Sequence, residues 1–273
     1  VSDVYPHLAG RLDLPVESFD PVRAIDTSDV VLLALPHGAA MAVVPSLLQA
    51  GKRVIDLSGD FRLQDPALYP QWYHHPHSHP ELLRQPGAVY GLTEYVRQEL
   101  PKAKLVANPG CYATSILLAA LPLFNANLVD DGVLIVDAKS GLSGAGRKAD
   151  TSLLFTEMTE NLRAYKVNEH QHMPEVLQAL ERLTKKRPRM VFVPQVIPVT
   201  RGLISMVYLS TRAPLKTIEQ TYQAAYPRSS APFVRGRWNG VLPQLRDVVH
   251  TNHCDIVFVL DTSGSMSGFP IEK

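Results

Sequence analysis

Through the first third of the chain, short unbroken apolar runs alternate with stretches of helical period. Residues 30–35 form a continuous apolar run suited to a buried parallel strand, broken by Pro36-His37-Gly38. Residues 39–50 then carry helical spacing, with Gly51 as the C-terminal stop. Residues 53–57 and 104–107 read as further strands, ended by Ser58-Gly59-Asp60 and Asn108-Pro109-Gly110. This strand–turn–helix rhythm predicts a parallel sheet with helices on its faces. Residues 65–87, rich in Pro, His, Tyr and Trp, show no clean period. Their aromatic content predicts an ordered surface excursion rather than disorder.

The pattern changes from Val133 onward. Residues 133–137, 190–199 and 203–210 are strand-like and rich in β-branched residues, and Thr200-Arg201-Gly202 joins the last two. A short turn between successive strands predicts an antiparallel or mixed sheet. Helices are predicted over 114–124, 174–184 and 215–226. The fold class is therefore α/β: a truncated Rossmann-like parallel-sheet domain over 1–110, an α+β domain with a mixed or antiparallel sheet over 111–250, and a return strand with an atypical tail over 251–273. No internal repeat or low-complexity segment is visible.

Composition narrows the partners. With 273 residues and 45% hydrophobic content the chain can bury a substantial core. Its 27 Lys+Arg against 26 Asp+Glu give no reason to expect nucleic acid or an anionic membrane as partner. No apolar run approaches a membrane span, and no secretory pattern is seen. Two distant cysteines, Cys111 and Cys254, make no disulfide framework, so a cytoplasmic location is expected.

Three stretches carry chemistry. Cys111 follows a strand and a Pro109-Gly110 turn and opens a helix, where unpaired N–H groups and the helix dipole favour a thiolate. It reads either as a nucleophile with a lowered pKa or as a small buried hydrophobe. Glu169-His170-Gln171-His172-Met173-Pro174-Glu175 places two imidazoles just before a helix that Pro174 can start. They suit acid/base work, a metal site, or plain capping; no other ligand cluster supports metal, and none is assigned. The third stretch, Lys139 to Arg147, holds three glycines and two serines after a strand. Its backbone can donate N–H groups to phosphate, or it is an ordinary turn.

In order along the chain, eight motifs resemble the N-acetyl-gamma-glutamyl-phosphate reductase family, relatives of the aspartate-semialdehyde dehydrogenases. They are Leu35-Pro36-His37-Gly38, Asp56 to Arg62, Val89-Tyr90-Gly91-Leu92 with Glu94, Asn108 to Tyr112, Lys139 to Arg147, His170 to Glu175, Pro198 to Gly202, and Asn252-His253-Cys254-Asp255. The resemblance implies an NADP-dependent oxidoreductase of arginine biosynthesis that reduces an acyl phosphate through a thioester on Cys111. It implies His170 as acid/base, with His172 the second candidate. Arg62, Arg147, Arg201 and Glu175 are the implied substrate-binding residues. Pro36, His37, Gly38, Ser58, Ser143, Gly144 and Asn252 are implied to meet the NADP. A homo-oligomer, dimer or tetramer, is implied too. A reductase for aminoadipyl phosphate, one methylene longer, would share these motifs.

Two departures set further expectations. The family's opening strand, Gly-rich turn and helix are not seen before Val1, so an exposed sheet edge and weak NADPH binding, or an inactive fragment, are expected. After Asp255 the sequence resembles the opening of a von Willebrand factor type A domain, whose Asp261, Ser263 and Ser265 would be cation ligands. A strand and polar turn without an ion is the expected reading there. A metal-dependent binding module is the remote alternative.

Overall fold

The computed structural model describes residues 6–12, 14–84, 87–146, 149–237 and 242–257. Chain order begins with α1 (Pro21–Thr27), β1 (Val30–Leu33), α2 (Ala40–Gln49), β2 (Arg53–Asp56), α3 (Tyr69–Tyr73), β3 (Ala88–Tyr90), α4 (Thr93–Val96), β4 (Leu105–Ala107) and α5 (Cys111–Asn125). It continues with β5 (Val133–Ser140), α6 (Phe155–Met158), β6 (Arg163–Ala164), α7 (His172–Thr184), β7 (Arg189–Val196), β8 (Leu203–Tyr208), α8 (Leu215–Ala225), β9 (Val234–Arg237) and β10 (Cys254–Val257).

Strands β1, β2, β4 and β3 lie side by side in that order, every pair parallel. All four carboxyl ends therefore point to one crest, where open α/β sheets place ligands. Val31, Leu33 and Val54 face Met41, Val44 and Leu47 of α2 in one core. Among the described residues β1 pairs on one side only, and its outward Val30 and Leu32 are exposed. The segment predicted as a surface excursion is anchored more deeply. Tyr69, Tyr73, His77 and Leu83 are buried, so its rings plug the sheet instead of lying over it.

The second sheet runs β6-β7-β5-β8. The expected pairing of its two turn-linked strands does not occur. β5 lies between them, parallel to β7 and antiparallel to β8. The Thr200–Gly202 connection bridges over the end of β5, so the sheet is mixed because of β5 and not because of a hairpin. Helix α5 is apolar nearly all round, with ten buried residues. It sits between this sheet and α7 and α8, and Leu134, Val136, Phe192, Val176 and Ile218 close around it. A small parallel pair, β9 and β10, adds Val234 and Ile256 to the same core.

Candidate active site

The turn from β4 into α5 brings the pieces together. β4 ends at Ala107, Asn108-Pro109-Gly110 redirects the chain, and Cys111 is the first residue of α5. Gly110 is the N-cap and brings no side-chain cap, so the first-turn N–H groups face the sulfur's surroundings. The Cys111 side chain is exposed and unbridged. Glycine is required at 110 by close approach, since a Cβ there would overlap the His172 imidazole.

Buried polar groups clamp this turn from below. Arg62 donates from Nε to the Asn108 carbonyl and from Nη2 to the Leu57 carbonyl, both at 2.8 Å. Glu175 is fully buried; its Oε1 accepts the Gly110 N–H at 2.7 Å and the Tyr90 hydroxyl at 2.8 Å. Its Oε2 stands 3.6 Å from Nη1 of Arg62. Burial pushes the Glu175 carboxyl up, opposed by the Arg62 charge and by both donors.

The two histidines form the opposite wall. The His172 N–H donates to Nδ1 of His170 at 3.1 Å, and the rings lie 4.6 Å apart, edge to face. Tyr112, Tyr165 and Phe192 surround His170. His172 turns Nε2 toward Arg62 at 3.5 Å. Burial drives both imidazoles to the neutral form, His170 down to about 2 and His172 to about 3, with the neighbouring His172 and Arg62 respectively adding to it. Each is thus a neutral imidazole with one N–H and one basic nitrogen; in His170, whose Nδ1 accepts, the N–H is at Nε2.

The thiol differs from expectation. A first-turn position predicts a lowered pKa, yet desolvation by the neighbouring protein pushes it up although the side chain is exposed at the surface; the Tyr112 N–H pulls it down and the Glu175 charge raises it further. Crowding outweighs the helix terminus. Alkylation of Cys111 by iodoacetamide is therefore expected to rise with pH beyond the ordinary thiol midpoint of about 8.5. A plateau reached below pH 8 contradicts this.

The remaining expected residues spread along the crest. Pro36 and His37 are exposed on the loop after β1, and Nδ1 of His37 accepts the Gly59 N–H at 2.9 Å. The N–H groups of Gly38, Ala40 and Met41 all go to the Asp60 carboxylate, which the sequence reading did not single out. This internal cap leaves no anion cradle at the start of α2. Ser58 is buried, its hydroxyl given to Asp56 at 2.7 Å. In the glycine-rich loop, the N–H groups of Gly141, Leu142 and Ser143 go to carbonyls of Gly202, Val199 and Thr200. That loop is thus tied to the β7–β8 connection, and its expected phosphate donors are already used. Ser143 and Gly144 stay exposed there, as does Arg201 across from them. Arg147 lies outside the described residues, as do Asp261, Ser263 and Ser265. Asn252 is exposed on the approach to β10. Among the described residues no group of three His, Cys, Asp or Glu side chains is placed to hold a metal ion.

Comparison with known proteins bears on the family and the fold. The family model "Semialdehyde dehydrogenase, NAD binding domain" matches residues 1–103, and "Semialdehyde dehydrogenase, dimerisation domain" matches residues 111–267. The chain is 44% identical to the N-acetyl-gamma-glutamyl-phosphate reductase of Pelotomaculum thermopropionicum over 95% of its length and 74% of the relative's. It is 40% identical to that of Bacillus anthracis over 96% of its length and 75% of the relative's. Among solved structures, aspartate semialdehyde dehydrogenase II from Vibrio cholerae shares the fold, with TM-score 0.61 at 17% identity, covering 89% of this chain and 71% of that one. The Candida albicans aspartate semialdehyde dehydrogenase, solved with NADP, matches with TM-score 0.53 at 12% identity over 80% of this chain and 64% of that one. By these identities and coverages the chain belongs to the N-acetyl-gamma-glutamyl-phosphate reductase family.

Proposed function

We propose that this chain catalyses NADPH-dependent reduction of N-acetyl-gamma-glutamyl phosphate to the semialdehyde, with release of phosphate. The observation that carries the reading is an exposed cysteine on a clamped turn, walled by two buried neutral imidazoles. The relatives carry the glutamyl name, so the longer aminoadipyl substrate is not favoured.

The thiol is protonated at rest, so attack needs a base. His170 is the candidate for this role: Nδ1 accepts the His172 N–H, so Nε2 carries the ring proton and Nδ1 is the basic nitrogen, which takes the thiol proton when that hydrogen bond opens. As the proton leaves, sulfur bonds to the acyl carbon, the carbon–oxygen bond to phosphate breaks, and a thioester remains on Cys111. First-turn N–H groups of α5 offer charge stabilisation to the developing oxyanion. NADPH, when bound, supplies the hydride that reduces the acyl group. His170 then returns the proton as the aldehyde departs and the thiol reforms. Arg62 and Glu175 hold the turn from beneath, while exposed Arg201 and, outside the described residues, Arg147 are the candidates for the substrate's anionic groups. His172 packs on Gly110 and keeps the wall in place.

Asp60 already takes the α2 N–H groups, so in this reading the crest would receive the nicotinamide ring and not the cofactor's phosphates. Pro36, His37 and Gly38 would border the ring; Ser58, Ser143, Gly144 and Asn252 remain candidates for its further contacts. Phosphate-dependent oxidation of the semialdehyde with NADP tests the reading. Turnover supports it, and absence of turnover at saturating NADP counts against it.

The same reading places a second copy on the outer face of the mixed sheet, within the segment matched by the dimerisation domain. Val191, Ile135 and Tyr208 lie in register across that face and are exposed. A dimer is the expected state, and Ile135→Asp is expected to yield monomer by light scattering. A monomeric parent chain, or a variant that stays dimeric, speaks against this face. The boundaries 1–110, 111–250 and 251–273 serve as the working division, supported by one core drawn from residues 31–107 and a second drawn mostly from residues after Cys111, to which Tyr90, Leu92 and Ile256 also belong. The two free thiols fit a cytoplasmic setting; among the described residues no helix is long and apolar enough to cross a membrane.

A further inference from the structure

We propose that Tyr90 is a positioning residue for Cys111, acting through Glu175. The inference rests on Cys111 as the nucleophile. β3 and β4 pair in parallel with Tyr90 opposite Ala107, so the phenol stands at the crest beside the turn that follows Ala107. Tyr90 is buried, and its hydroxyl donates to the same Glu175 oxygen that accepts the Gly110 N–H, at 2.8 and 2.7 Å. One carboxylate oxygen thus ties the last residue of β3 to the residue before the nucleophile. The other oxygen faces Arg62 at 3.6 Å and makes no hydrogen bond. That spacing leaves the carboxylate a second place to go. With the phenol in place, Oε1 stays on the turn. Without it, the carboxylate is free to close on Arg62 and release Gly110.

Release would loosen the first turn of α5, whose Cys111 and Tyr112 N–H groups support the thiolate. Glu175 is faced by Arg62 from the segment after β2, His37 from the loop after β1, Tyr73 of α3 and Tyr90 of β3. Cys111 is faced by Glu175 and Arg62, and by Tyr112 and Tyr165. Tyr90→Phe keeps the ring and removes only the donor.

The test is the rate of Cys111 alkylation by iodoacetamide against pH, read by mass spectrometry on Tyr90→Phe and the parent chain. It needs neither NADPH nor turnover, so it stands even if the assigned reaction fails. Tyr90→Phe is expected to slow Cys111 alkylation at pH 8 about fivefold or more and to raise its midpoint. Cys254, in the same sample, is expected to keep its rate. In a Glu175→Gln background the added Tyr90→Phe change is expected to do nothing further. An unchanged Cys111 profile overturns the proposal. So does a lowered midpoint, which would make Tyr90 a charge effect only, or a parallel rise in Cys254 reactivity, which would mean general loosening.

Discussion

Glu175→Leu is expected to lower the stability of the chain by about 3–5 kcal/mol, more than any other single change at the site. The carboxylate is fully buried and is the counter-charge to an Arg62 that is itself 5% exposed. Leucine fills the volume but leaves three groups wanting. Arg62 keeps its two carbonyl acceptors yet loses its ion partner. The Gly110 N–H and Tyr90 hydroxyl are left without an acceptor in a dry interior, each a further penalty. Glu175→Gln retains an acceptor oxygen and is expected to lose less, about 1–3 kcal/mol. Urea unfolding of both variants checks the order. A leucine variant as stable as the parent would mean that the pair contributes nothing to the fold.

Cys111→Ala is expected to have the opposite profile: an intact fold with turnover reduced about 10⁴-fold or more. The side chain is exposed and makes no bridge, so its removal leaves no cavity, and stability is expected to change by about 0.5 kcal/mol at most. The reaction, by contrast, has no other thiol at hand. Cys254 is half-buried on β10, and burial pushes its thiol up to about 11. Serine should not rescue activity, because a hydroxyl at this site is a far poorer nucleophile than a thiol. Steady-state rates of both variants, alongside their melting curves, separate lost chemistry from lost structure. Residual turnover within tenfold of the parent would move the nucleophile elsewhere.

Much of this arrangement could be read from the chain itself, because its signals are local. The apolar run ending at Pro36-His37-Gly38, the helix stopped by Gly51, and the Pro109-Gly110 turn before Cys111 each act within a few residues, and the structure follows them. What was not legible depends on partners far apart in sequence. Nothing near Thr200-Arg201-Gly202 shows that β5 will slip between β7 and β8, since strand order is decided by which faces can be buried together. The raised thiol is likewise a property of the assembled site, where desolvation by the surrounding protein, with the Glu175 charge adding to it, outweighs what the helix start alone would do. Asp60 and Tyr90 sit inside motifs that were recognised, yet their tasks are visible only when their acceptors and donors, 19 to 85 residues away, are in place.

The most direct test of the account mixes the chain with N-acetyl-gamma-glutamyl phosphate in the absence of NADPH and maps the product by peptide mass spectrometry. Acyl transfer to sulfur requires only the chain's own residues, so it is independent of how the cofactor binds. An N-acetylglutamyl adduct on the Cys111 peptide, with one equivalent of phosphate released and none in Cys111→Ala, is the result the account predicts. Phosphate release without an adduct at Cys111, or an adduct on Cys254 instead, would contradict it.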